Sequence, residues 1–116
     1  MTKKGWLADW YALEPHQSRW VEWVFEQARE RAKTLRRCTT HRGRPVYESG
    51  TNRSFVGHLL GVEYQRSMER WELRKVLRSI PNVPYPLAAE LQMIHDEYSP
   101  ERWEKAIDRC EWRWTP

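Results

Sequence analysis

The sequence predicts an all-α fold: a compact bundle of four to five helices with one long basic loop. Three observations carry this. Apolar residues recur at three- and four-residue spacing in five segments, the period of a helix with one buried face. Pro15, Pro81, Pro84, Pro86 and Pro100 fall between those segments rather than inside them. The 116 residues are 40% hydrophobic, enough for one core, so residues 1–116 read as a single helical domain.

The first helix is marked by Trp6, Leu7, Trp10 and Tyr11, a one-sided stripe. Pro15 either ends it or opens the next. The second helix is expected from His16 to Arg37, with Trp20, Val21, Val24, Ala28, Ala32 and Leu35 on one face. Trp23 and Phe25 widen that face. On its polar side Glu26–Arg29 and Glu30–Lys33 offset the like charges of Glu22, Glu26 and Glu30. A loop follows from Cys38 to Asn52, punctuated by Gly43, Pro45 and Gly50, with room for a short extended piece around Pro45–Glu48. Loops this long are often functional.

Asn52 or Ser54 is placed to cap the third helix, whose first stripe is Phe55, Val56, Leu59 and Leu60. Gly57 and Gly61 weaken it, and Gly61 is a place for it to kink or break. Tyr64, Met68, Trp71, Val76, Leu77 and Ile80 predict that it continues as an amphipathic helix. Pro-Asn-Val-Pro-Tyr-Pro then enforces an extended connector. The fourth helix has the cleanest period, Leu87, Leu91, Ile94 and Tyr98. Ser99-Pro100-Glu101 is a helix start, and Trp103, Ala106, Ile107, Cys110 and Trp114 mark the fifth helix. There is no internal repeat.

Composition narrows the function. No apolar run approaches the roughly 18 residues of a membrane span. Asp9 interrupts any hydrophobic region after Lys3 and Lys4, so no secretory signal is expected. Cys38 and Cys110 are too few for a disulfide framework. The expectation is a small cytoplasmic protein with no membrane partner.

No Gly-rich phosphate loop or nucleophile elbow is present. Cys38-Thr-Thr-His41 has a ligand-like spacing, but His16, His58, His95 and Cys110 supply no second tight pair. A Cys38–His41 nucleophile pair has no evident orienting acid. His95, Asp96 and Glu97 are adjacent on a helix and point in different directions, so the three cannot all converge on one substrate, and His95 suits a helix C-terminus. Cys110 reads as a small core hydrophobe. No enzyme activity, cofactor or metal is expected.

Charge is the stronger signal. The formal net charge is +4, with 15 Arg against 5 Lys. Residues 81–116 carry a net −3, whereas Arg29 to Arg53 carry +6. Arg36 and Arg37 suit a helix C-terminus, but Arg42, Arg44 and Arg53 have no such structural role. A loop with Arg-Gly-Arg beside Thr39, Thr40, Ser49 and Asn52 can present donors to phosphates. The candidate binding residues are Arg29, Lys33, Arg36, Arg37, Arg42, Arg44 and Arg53. They suit nucleic acid or an acidic protein surface equally well in kind, and a solvated basic face is the plain alternative.

The eight tryptophans suit cores and interfaces alike. Trp112 and Trp114 sit two apart, about 200° around a helix, so they cannot share one core. A helix that buries Trp103, Ile107, Cys110 and Trp114 leaves Trp112 outward beside Arg113. Trp112 and Arg113 are therefore a candidate protein interface, including for a homodimer. The alternative is that the helix frays after Glu111 and both rings fold back.

The last two helices have the length of a helix-turn-helix. With Ser-Pro-Glu-Arg-Trp-Glu-Lys-Ala, this segment loosely resembles the C-terminal helices of phage late-gene antiterminators and region-4-type sigma modules. The resemblance covers under a third of the chain and implies a transcription factor that reads DNA. Its exposed residues would be Glu101, Arg102, Glu104, Lys105, Asp108, Arg109 and Glu111, three cations against four acids.

The leading expectation is a small non-enzymatic protein that engages nucleic acid, or a nucleic-acid-handling complex, through its Arg-rich surface. The alternatives are a mobile-element-type accessory protein that inhibits a host protein, and an antiterminator-like transcription factor.

Overall fold

The computed structural model describes residues 2–40 and 42–116. It is mainly helical, in the order α1 (Trp6–Trp10), α2 (Pro15–Ala32), β1 (Glu48–Ser49), β2 (Asn52–Arg53), α3 (Phe55–Leu60), α4 (Leu73–Val76), α5 (Tyr85–Glu97) and α6 (Trp103–Trp114). Pro15 opens α2, where its missing N–H is no loss, and Gln17 reaches back to the Glu14 N–H at 2.9 Å. Ser54 caps α3 by accepting from the Gly57 N–H at 3.0 Å. α3 and α6 each pack on both α2 and α5, and α1 packs on α6.

Trp103 stands where four helices meet. It is fully buried, edge-on to Phe55 of α3, stacked on His95 of α5 and lying under the Arg31 guanidinium of α2. Around this point Val24, Phe25, Ala28, Leu87, Leu91, Ile94, Ile107 and Cys110 complete a continuous core.

Several boundaries differ from the sequence expectation. α2 ends at Ala32 rather than Arg37, because Arg31 bends under the next residues and takes the carbonyls of Thr34 and Arg36. Leu35, expected on the buried face, is therefore exposed. Trp20 is partly exposed too, edge-on to Trp23. The loop contains a two-stranded hairpin, with Glu48 opposite Arg53 and Ser49 opposite Asn52.

The largest correction concerns the third helix. It does not continue to Ile80. At Gly61 the backbone turns to φ 53° and ψ −123°, outside the helical region. The chain then runs as 3₁₀ turns at Gly61–Glu63, Arg66–Arg70 and Leu77–Ser79, with α4 as a single turn between the last two. The apolar period still marks core residues, since Met68, Val76 and Leu77 are buried. Short turns deliver those residues to the core as well as one helix would. Similarly, the Ser99-Pro100-Glu101 start signal opens a 3₁₀ turn, Pro100–Arg102, before α6 proper.

Gly57 has a tertiary purpose that local propensity does not reveal. A Cβ there would lie 2.0 Å from the Tyr47 carbonyl oxygen, so only glycine lets α3 meet the loop.

Candidate nucleic-acid interface

Arg31 organises the basic region from inside. It is only 6% exposed. Its guanidinium donates to the carbonyls of Thr34 (2.9 Å), Arg36 (2.7 Å) and Arg53, and to Asn52 Oδ1 (3.1 Å). Asn52 in turn donates to the Arg37 carbonyl at 2.8 Å. One planar fork with five donors thus ties the end of α2 to the hairpin. Burial lowers the Arg31 pKa, yet an arginine stays charged at any physiological pH.

The candidate cations divide into two groups. Arg29 is held by Asp108 (2.7 Å) and Glu111 (2.5 Å), an ion pair between α2 and α6. The Asp108 hydrogen bond is the main influence raising the Arg29 pKa. Lys33 pairs with Glu30 at 2.8 Å. Arg37 donates to the Tyr98 carbonyl at 2.8 Å. These three are spoken for within the fold. Arg53 is half-buried, 3.5 Å from Glu48. Arg36, Arg42 and Arg44 are exposed, and among the described residues their side chains make no ion pair.

Arg36 and Arg53 line a cleft of about 390 Å³ with Thr34, Thr51, His58 and Glu30. With Arg31, three guanidinium-bearing side chains and two hydroxyls line this cleft and offer donors to an anion. Burial, with Arg31 and Arg53 nearby, holds the His58 pKa below its ordinary value. Its Nε2 meets Gln27 Oε1 at 3.0 Å.

The neighbourhood of Cys38 has the ingredients of a catalytic triad but a different geometry. The Cys38 backbone N–H donates to His95 Nε2 at 2.9 Å, and His95 Nδ1 meets Asp96 Oδ1 at 2.7 Å. Since Nε2 accepts, the ring proton sits on Nδ1 and is donated to Asp96. His95 is fully buried, so it is a core clamp between the loop and α5 rather than a residue serving the helix dipole. His95 and Asp96 meet each other, while the third residue of that run, Glu97, is exposed and takes no part. The Cys38 thiol is also buried and donates to the Asn52 carbonyl at 3.3 Å. Burial pushes its pKa up to about 11, the reverse of an activated nucleophile. His41, the other member of the pair singled out in the sequence, lies outside the described residues. No group of three or more His, Cys, Asp or Glu side chains among the described residues is placed to hold a metal ion.

At the C-terminus α6 stays helical through Trp114, so the helix does not fray. Trp114 is buried and stacked on Tyr11 (5.4 Å between centroids, 6° between planes), with its Nε1–H directed at Glu90. Trp112 is 42% exposed and shares a shallow cleft with Trp6, Arg109 and Arg113. Arg113 pairs with Glu90. Asp108 and Glu111, two of the four acids on the proposed DNA-reading helix, are taken by Arg29. No helix among the described residues is long and apolar enough to cross a membrane.

No protein-family model matches the chain, and no curated protein or solved structure shows significant similarity to it.

Sequence reasoning found the basic region but not Arg31's role, because an Arg inside a cationic run carries no mark of burial. Its position could have flagged it: Arg31 falls beside Ala28 and Ala32 on the buried side of α2.

Proposed function

We propose that this chain is a small non-enzymatic binding protein that engages nucleic acid through Arg36, Arg42 and Arg44. One observation carries the reading: after the internal ion pairs are made, these three side chains remain exposed and unpaired among the described residues, and Arg36 lines a hydroxyl-bearing cleft. Arginine's fork matches phosphate oxygens in pairs. The packing of α6 against α1, α2 and α5 favours this surface over α6 as the contact element.

The test is fluorescence anisotropy with labelled duplex DNA, single-stranded DNA and RNA, comparing wild type with the combined Arg36→Glu, Arg42→Glu and Arg44→Glu variant. Wild type should bind with an affinity that falls steeply with salt. The variant should keep its circular dichroism spectrum and lose binding. A folded variant that binds as wild type does would refute the assignment.

A protein partner is the second reading, favoured by Trp10, 76% exposed, and by the exposed face of Trp112. A pull-down from a cell lysate with and without nuclease separates the two. The same protein retained after nuclease supports this second reading.

A further inference from the structure

We infer that residues 66–78 form a second phosphate-binding face, and that one nucleic-acid backbone crosses it together with the loop arginines. The inference rests on the proposed nucleic-acid binding and extends it to a segment outside the Arg29–Arg53 stretch.

This segment holds five cations, Arg66, Arg70, Arg74, Lys75 and Arg78, against two acids, Glu69 and Glu72. All five cations are exposed, and none is ion-paired among the described residues. The contrast with Arg29, Lys33 and Arg37 is direct: those side chains are spent on the fold, these are not. Of the two acids Glu72 is exposed, while Glu69 is partly buried and turned onto the loop by its own bonds. The Glu69 carboxylate accepts from the Tyr47 N–H (3.0 Å), the Glu48 N–H (3.2 Å) and the Tyr64 hydroxyl (2.6 Å).

Two of the cations are held in place without being neutralised. The Arg74 guanidinium lies 4.2 Å from the Tyr85 ring centroid, and the Lys75 ammonium 4.3 Å from that of Trp71. A cation over a ring keeps its charge while losing some of its freedom. The same contacts cover those ring faces, so the surface offers charge rather than a platform for base stacking. Nor does the segment present a helix long enough to enter a groove, since it is two 3₁₀ turns around the single turn of α4. Charge without stacking or groove entry suits phosphates and carries no sequence information.

Glu69 also joins the two faces. By holding the amides of Tyr47 and Glu48, it fixes the Arg66–Arg70 turn against the loop that bears Arg42 and Arg44. One backbone can therefore meet cations from both.

The experiment compares wild type, the Arg36→Glu, Arg42→Glu and Arg44→Glu loop variant and a combined Arg66→Gln, Arg70→Gln and Arg78→Gln variant on two unrelated DNA duplexes over a salt series. The three arginines replaced by glutamine make no ion pair or aromatic contact among the described residues, so the fold should be kept, as circular dichroism will show. The glutamine variant should bind both duplexes at least ~10-fold more weakly, and its log K against log salt slope should be shallower by about 0.9 for each phosphate it no longer neutralises. An unchanged slope and affinity in this variant, with binding lost in the loop variant, overturns this inference and leaves the proposed function standing. A loss confined to one duplex overturns its sequence-independent character. Failure of wild type to bind any nucleic acid at low salt refutes the proposed function and this inference with it. Polyglutamate bound as tightly as the duplex assigns the face to an acidic protein instead.

Discussion

Replacing Arg31 with Met tests the central structural claim, that a buried guanidinium and not hydrophobic packing fixes the loop. Met keeps most of the stem's volume and removes every donor. Three carbonyls and one side-chain amide oxygen lose their partner. A buried acceptor left unmade costs about 1–3 kcal/mol. Thr34 and Arg36 are exposed residues whose carbonyls water can reach, and Asn52 Oδ1 keeps the Arg53 N–H, so the Arg53 carbonyl is the acceptor left stranded. Relief from burying a charge offsets part of this, leaving a net loss of about 1–2 kcal/mol. Unfolding entropy near 2.1 cal/mol/K per residue, over 116 residues, makes that a Tm drop of about 4–8 °C. Arg31→Lys, with charge but no fork, should fall in between. Thermal and urea denaturation followed by far-ultraviolet circular dichroism measures both variants. Hydrogen exchange should show the amides of residues 36–53 losing protection before those of α5. If Arg31→Met lies within about 0.5 kcal/mol of wild type, a change typical of a surface site, the guanidinium is not what holds the loop.

Other consequences can be checked directly. The unfolded chain takes up the His58 proton first as pH falls through about 6.5, because the folded imidazole has the lower pKa. Stability should therefore decline below that pH and level off once folded His58 is protonated, and His58→Gln should flatten this part of a urea-midpoint profile. The Cys38 and Cys110 thiols, pushed up to about 11 and about 12, should resist Ellman's reagent in the native protein and react only as fast as it unfolds. Gly57→Ala should destabilise by at least ~2 kcal/mol, because the new methyl overpacks against backbone. Helix propensity alone would give about 1 kcal/mol in the opposite direction, so the sign of the change in denaturant midpoint decides. Sedimentation should show wild type self-associating through Trp112 and Trp112→Ala as a monomer. A wild-type monomer at all concentrations would assign Trp112 to packing alone.

The periodic segments are the readable part of this fold. Leu87, Leu91 and Ile94 mark α5, and Trp103, Ile107, Cys110 and Trp114 mark the buried side of α6, because a one-sided stripe has one way to be buried. Residues 61–80 carry a helical period without forming one helix, for a related reason. Tyr64, Met68, Val76 and Leu77 satisfy a helical spacing, but apolar burial rewards arrival at the core and not the path taken. The break at Gly61 outweighs the period. In the candidate interface, the charge of Arg29 to Arg53 is visible in the sequence, and its division is not. Asp108 and Glu111 lie 79 and 82 residues from Arg29, a separation no local pattern spans.

The sequence by itself determined the helical class, the core stripes of α5 and α6 and the excess of positive charge. These depend on composition and on spacings within one helix. Only the tertiary structure decided which charges remain available. It buried Arg31, paired Arg29 with α6, turned Glu69 onto the loop amides and left Arg36, Arg42, Arg44 and the cations of residues 66–78 facing solvent. The physical reason is that a charge is neutralised by whatever lies within a few ångströms of it, and here the neighbours come from distant parts of the chain.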